Sequence, residues 1–317
     1  MRSSTRTTKK KVWDIRSKKD LVDYFYTKYH ISKAKLIHWV GLSDSTYYFK
    51  GSGKPKGNKA TLLTYHKTQG WVNEQTVVES IKELLEDDFM DCGYRIMCEY
   101  LKRDGYTINH KKVYRIMKTA KLLQTRIARD HSDKKYVKHR KVKTTRPLEC
   151  VEMDIKMVWI PQKGKNAYLL SVIDVHTRRI LKDYFSFNIK QKQVIELLSE
   201  LFDELDYPKN VVIRSDNGSQ FIANNVREYL SLIGVSQEFT HIATPEENAH
   251  IEAYHGTLRR EVFTKYEYFT FGQIEQILKN YVVFYNNKRL HGLLGKITPM
   301  EKWEKDKHLI LNRKKAA

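Results

Sequence analysis

Between residues 150 and 160 apolar and polar positions alternate. Val151, Met153, Ile155 and Met157 fall on one side, and Glu152, Asp154 and Lys156 on the other. A period of two predicts a half-buried strand. The continuous apolar run Ala-Tyr-Leu-Leu-Ser-Val-Ile-Asp-Val that ends at Val175 predicts a central strand. A turn that takes in Asp174 follows it. A third, antiparallel strand then begins at Arg179. A helix over about 190–206, stopped by Pro208, precedes a short buried strand that ends at Asp216. The stretch from Ser219 to Gly234 reads as one amphipathic helix, and Val235–Thr240 as a fifth strand. Thr244 with Glu247 forms a capping box, and Pro245 takes the first helical position, which puts Glu252 about two turns into the next helix. Three strands, helix, strand, helix, strand, helix predict an α/β domain, a mixed five-stranded sheet with helices on both faces.

Upstream the period changes to that of helices. Ile31, Ala34, Leu36, Ile37 and Val40 share a face, Gly41 breaks the pattern, and Ser43 caps a short helix that carries Thr46 and Tyr47. A second unit has helices over about 75–85, from Gly93, and from Asn109. The last sets Val113, Ile116 and Met117 against His110, Lys111, Lys112 and Arg115. Helix, glycine turn, capped helix is the pattern of a helix-turn-helix, so an all-α DNA-binding region is expected to precede the sheet. The segment Lys50–Lys59 reads as a flexible linker. It lacks the spacing of a nucleotide-binding loop, because Lys56 and Asn58 stand where a second glycine would be needed. The expected divisions are 1–57 (basic segment and helix-turn-helix), 58–125 (second helical unit), 126–147 (basic linker), 148–265 (catalytic core) and 266–317 (C-terminal helical extension).

Charge adds the partner. Lys and Arg number 58 against 37 acids in 317 residues, a formal net charge of +21. Such an excess points to a polyanion, foremost nucleic acid. It is clustered: from Arg126 to Arg146 nine cations face two acids, which suits a linker that tracks phosphates. Three cysteines without a Cys-x-x-Cys pair argue against a disulfide framework or structural zinc, and fit a reducing cytoplasm. No apolar run is long enough to span a bilayer.

The chemistry rests on three acids. Asp154 points from a strand, Asp216 stands at the carboxyl end of another, and Glu252, after 35 intervening residues, projects from a helix. Carboxylates brought together repel unless cations neutralise them. Hard oxygen ligands of this kind suit Mg²⁺ or Mn²⁺. Two such ions can activate a nucleophile and stabilise the leaving oxygen of a phosphodiester. Around the acids, Asn217 is expected to orient Asp216 and Gly218 to permit a tight turn. Asn248 and His255 share the Glu252 face, and Arg259 and Arg260 continue that helix as candidates for DNA backbone contact.

The segments Ser-Asp-Asn-Gly-Ser-Gln-Phe and Pro-Glu-Glu-Asn-Ala-His-Ile-Glu resemble the catalytic segments of retroviral-type integrases and bacterial transposases that carry an Asp, Asp, 35-residue gap, Glu signature. The stretch from Gly93 through Leu123 looks like the helix-turn-helix of transposases of the insertion sequence three family. Tyr285, Asn286, Arg289, His291, Thr298 and Pro299 match that family's C-terminal signature. Together these similarities cover about residues 30–305.

The resemblance implies an RNase H-like core in which Asp154, Asp216 and Glu252 bind two Mg²⁺ ions. It implies double-stranded DNA as partner, both terminal inverted repeats and target, and cleavage followed by strand transfer from a 3′-hydroxyl. A homo-oligomer on DNA, a bacterial cytoplasmic, nucleoid-associated location and an upstream-frame partner protein are further implications. From the residues themselves, Arg289 and His291 are expected either to contact phosphate or the catalytic face or to pack at a helix end. The family often has Asp where this chain has Glu247, at a position that is not a metal ligand. The alternatives are a transposase-derived DNA-binding protein without catalysis and a structure-specific nuclease.

Overall fold

The computed structural model describes residues 14–50, 60–124, 143–241, 245–265 and 270–311. The basic N-terminal segment, the linker at 51–59, most of the basic linker and Thr244 lie outside the described residues. The chain forms two compact units, residues 1–60 and 61–317.

In the first unit, helices α1 (Ile15–Tyr29), α2 (Lys33–Trp39) and α3 (Asp44–Tyr48) enclose a small core of Val22, Leu36 and Ile37. Asp14 caps α1 and Ser43 caps α3 through their side chains. Gly41 turns the chain at φ +64°, a left-handed conformation that glycine adopts without penalty.

The second unit begins with the hairpin β1 (Thr64–His66) and β2 (Gly70–Val72), followed by α4 (Glu74–Leu85), α5 (Tyr94–Asp104), β3 (Tyr106–Thr107) and α6 (His110–Thr119). The helices are those expected, with Asn73 and Asn109 capping α4 and α6. The small sheet β2-β1-β3 is an addition that residue patterning does not announce, because its strands are only two or three residues long. Gly105 turns α5 into β3 at φ +115°, and a Cβ there would come within 3.1 Å of the His66 ring.

The large sheet holds β4 (Cys150–Ile160), β5 (Lys165–Asp174), β6 (Ile180–Ser186), β7 (Val212–Ser215) and β8 (Ser236–Phe239) in the order β6-β5-β4-β7-β8. The β4–β5 and β5–β6 pairs are antiparallel, and β4–β7 and β7–β8 are parallel. This is the expected RNase H-like mixed sheet.

Helices cover both faces. One layer draws on α7 (Gln191–Glu204), α8 (Ser219–Ile222), α9 (Asn224–Leu232) and Trp303 of α12 (Pro299–Asp306). The other draws on α10 (Ala249–Leu258) and α11 (Phe271–Asn287). The predicted single helix after Asp216 is two, α8 and α9, separated by Ala223 in an extended conformation.

Strand β4 departs from the half-buried pattern in an instructive way. It is the middle strand with helices on both sides, so Glu152 is completely buried, whereas Met157 is 65% exposed where the strand outruns the helical layer.

Asp183 on β6 shows what partial burial does to an unpaired acid. Burial pushes its carboxyl up to about 6, against the opposing pull of Lys279 and Lys182. The folded protein therefore holds this proton more tightly than the unfolded chain does. Its stability is fullest below pH ~4 and falls as pH rises through 6. Asp183→Asn is expected to stabilise by about 1–2 kcal/mol at pH 8. The gain should vanish by pH 4 in paired urea-unfolding curves.

Candidate active site

The register of β4 on β7 sets the site. Cys150 faces Val212, Val151 faces Ile213 and Glu152 faces Arg214. Two residues beyond that last pair stand Asp154 on β4 and Asp216 just past β7, so the two acids occupy matching positions where the strands part. Neighbouring strands run about 4.8 Å apart. By alternation both acids share the parity of Glu152 and Arg214. That is the sheet face on which α10 lies, because Glu152 reaches the start of α10 and Arg214 donates to the Glu247 carbonyl just before it.

The capping box expected from Thr244 and Glu247 cannot be followed here, because Thr244 lies outside the described residues. Residues 245–248 form a single 3₁₀ turn and the α-helix begins at Ala249, which puts Glu252 in its first turn rather than two turns in. Glu247 is buried and reaches back toward His241. Its carboxylate accepts from the His241 backbone N–H at 3.0 Å and lies 2.9 Å from His241 Nδ1. The cap comes from the sheet: Glu152 accepts from the backbone N–H groups of His250 (3.0 Å) and Ile251 (2.9 Å), and its other oxygen lies 2.6 Å from His250 Nδ1. A buried carboxylate thus satisfies helix-start donors that lack intrahelical partners. In doing so it clamps the helix of Glu252 to the strand of Asp154. One turn along α10, His255 is buried and its Nδ1 lies 3.3 Å from Asp154 Oδ2. Its Nε2 finds no hydrogen-bond partner among the described residues.

Asp216 is exposed and is held by its own turn. The Gly218 backbone N–H donates to its Oδ1 at 2.9 Å. Gly218 has an ordinary negative φ of −58°, so its value is space: a Cβ would come within 3.0 Å of that carboxylate. Asn217 does not orient Asp216 as expected. It donates to the Thr240 carbonyl at 2.9 Å and ties the turn to the end of β8. Asn248 is buried under the site, with its amide 3.4 Å from the Met153 carbonyl.

Among the described residues, no group of three or more His, Cys, Asp or Glu side chains stands close enough together to hold an ion. The three acids approach one end of the sheet without closing on a point. Asp154 turns to His255, Asp216 to Gly218, and Glu252 is exposed. The donor set still fits a hard divalent ion. All three groups offer carboxylate oxygens, two are solvent-facing, and the third is held only by a histidine that rotation would release.

Comparison with known proteins bears on this geometry. An integrase core domain model matches residues 144–245, a second integrase core model matches 233–299, and an HTH-like domain model matches 72–131. The putative transposase InsK for insertion sequence element IS150 of Escherichia coli K12 is 27% identical over 233 residues, 71% of this chain and 82% of that relative. An uncharacterized 31.7 kDa protein of insertion element IS407 from Burkholderia multivorans is 24% identical over 274 residues, 86% and 91% of the two chains. The chain carries an integrase core and is similar to transposases of insertion sequence elements.

Among solved structures, a chain of a simian T-cell lymphotropic virus intasome in complex with a PP2A regulatory subunit aligns at TM-score 0.46 and 12% identity, over 76% of this chain and 78% of that one. The catalytic core of BIV integrase aligns at 0.40 and 17%, over 51% and 97%.

Several residues expected at DNA turn inward. Arg115 pairs with Glu74, with one contact at 2.9 Å, and donates to the Thr61 carbonyl. Lys112 donates to the Leu63 carbonyl at 2.6 Å. Only Lys111 of that trio is fully exposed. Arg289 is likewise structural. Its guanidinium lies 2.9–3.0 Å from the buried Glu261 carboxylate, whose pairing outweighs the burial that would otherwise disfavour the charge. His291 is half-buried beside it and pushed down to about 3 by burial and then by Arg289, so it is neutral at physiological pH. Asn286 bonds both the N–H and the carbonyl of Ile180 on β6. The transposase C-terminal signature is therefore a packing device.

Arg259 and Arg260 are exposed, as a DNA contact requires. Glu152 and His250 are positioning residues that patterning missed. A lone acid two residues before Asp154 looks solvent-facing until both sheet faces are known to be covered. No described helix is long and apolar enough to cross a membrane.

Proposed function

We propose that this protein is a transposase that cleaves DNA at the ends of its element and joins the freed 3′-hydroxyl to a new phosphodiester, with Asp154, Asp216 and Glu252 holding two Mg²⁺ ions. The β4–β7 register supports this reading most directly, because it brings Asp154 and Asp216 to matching positions below the helix that carries Glu252. A bound ion pair would activate the attacking hydroxyl and offset charge on the leaving oxygen. The remaining work belongs to the chain. Glu152 fixes the start of α10 against β4, the Gly218 N–H orients Asp216, and His255 holds Asp154 in place. Arg259, Arg260 and Lys111 contact the DNA backbone, which positions the duplex without reading its sequence. The α5–α6 pair reads the terminal inverted repeats. Strand transfer takes place in a homo-oligomer assembled on DNA.

The open placement of the acids favours one competitor, a transposase-derived protein that binds DNA without cutting it. The two separate in a joining assay with a duplex that carries the element's end and a plasmid target. Nicking and joining are expected with Mg²⁺ or Mn²⁺ and none with EDTA. End binding without joining under either metal would support the competitor. Titration calorimetry with Mn²⁺ is expected to show binding to the native protein and its loss in Asp154→Asn.

A further inference from the structure

Strand β4 is paired along one edge from Val151 to Ile160, but along the other only as far as Glu152. From Asp154 outward that second edge has no strand partner among the described residues. A cavity of about 440 Å³ lies there, lined by Lys156, Met157, Trp159, Arg259 and Phe263 among others. This volume is within the roughly 300–1,000 Å³ of small-molecule sites. The cavity starts where the acids end: Lys156 is two residues past Asp154, and Arg259 is four past His255, at the start of a π-helical turn (Arg259–Phe263).

Three properties of this groove point the same way. First, Lys156 and Arg259 are brought together, and neither side chain has a hydrogen bond or ion pair among the described residues. Arg115, Arg214 and Arg289 each hold a carboxylate. Two neighbouring cations, with the Asp154 carboxylate acting on Lys156 but paired to neither, favour an anion between them. Second, Trp159 is 57% exposed beside an exposed Met157. A large indole left in water next to cations is a stacking surface without its stack. Third, a free strand edge could also take a peptide strand, but a peptide gains nothing from paired cations unless it is acidic, whereas every nucleotide carries both a phosphate and a flat base.

We propose that this groove seats one unpaired nucleotide of the substrate strand beside the reacting phosphodiester, its phosphate between Lys156 and Arg259 and its base stacked on Trp159. The placement beside the chemistry rests on the proposed function, while the groove itself does not. A base inside a duplex cannot present its face to an indole, so the end of the element must open by at least one pair.

The test uses the full chain in EDTA and a duplex with a short single-stranded 3′ overhang ending in 2-aminopurine. Binding is expected to quench the probe. Trp159→Ala should abolish the quench and weaken overhang binding about 5- to 100-fold, with blunt-duplex binding within about twofold of the native protein. Trp159→Phe should keep most of both. The pair Lys156→Ala with Arg259→Ala should lower the salt slope of binding by about one, for the one phosphate released. An unchanged quench in Trp159→Ala, equal losses on blunt and overhang duplex, or displacement of the oligonucleotide by an acidic peptide would overturn the proposal. If Trp159→Ala melts early, Trp159→Gln carries the same comparison. Because nothing is cleaved, failure here leaves the joining assay untouched, and failure there leaves this result standing.

Discussion

Asp216→Asn is expected to reduce metal-dependent joining at least about a thousandfold while leaving end binding within about twofold. A two-ion site contributes several kcal/mol to phosphodiester cleavage, and about 4 kcal/mol alone corresponds to that factor. Asparagine is nearly the same size and keeps an oxygen that can accept from the Gly218 N–H, so the turn after β7 should survive. What it removes is a negative charge at the position facing Asp154. Because Asp216 is exposed, no buried interaction is lost and the thermal midpoint should not fall. The comparison is single-turnover joining against electrophoretic mobility shift with the same duplex. Joining within tenfold of the native protein would remove Asp216 from the chemistry.

Glu261→Ala is expected to be the most damaging change to stability, at about 3–5 kcal/mol. Glu261 is 2% exposed and accepts from Arg289 Nε at 3.0 Å and from the Tyr281 hydroxyl at 2.8 Å. Its removal leaves a guanidinium stranded beside Tyr285 and the neutral His291, in a layer where burial already disfavours charge. The loss would be read from the urea midpoint. A double replacement, Glu261→Leu with Arg289→Met, should recover most of it, because an apolar pair of similar volume replaces the buried ions without stranding either. Failure of the double variant to recover would mean that the ion pair specifies the local fold rather than merely neutralising itself.

The sheet was legible because its strands are long enough to show a period, and because Asp216 marks the end of β7 in the sequence as it does in space. The helices of residues 61–124 were legible through Asn109 and the apolar stripe of α6. Three features were hidden. Glu152 looked like an outward acid because alternation along one strand cannot report a helix that arrives 98 residues later. Arg115, Lys112 and Arg289 looked like DNA contacts because a cation's partner, Glu74, the Leu63 carbonyl or Glu261, is chosen by tertiary packing. The start of α10 gave no hint that a buried residue of β4 accepts from its first backbone N–H groups.

The helical region of residues 61–124 is fastened to the C-terminal extension at several points. Arg103 pairs with Glu301, Lys296 with Glu99 and Lys288 with Asp87, Tyr100 donates to the Lys288 carbonyl, and Phe89 packs against Tyr281 and Phe284. On the proposed function, a probe that recognises a sequence and a blade that cuts, mounted on one frame, would behave as a ruler. For such a tool, the count of base pairs between the recognised letters and the broken bond is written in the protein, and lengthening that interval by a single pair would turn the target phosphate about 34° around the duplex axis, since B-DNA completes a turn in roughly 10–10.5 pairs.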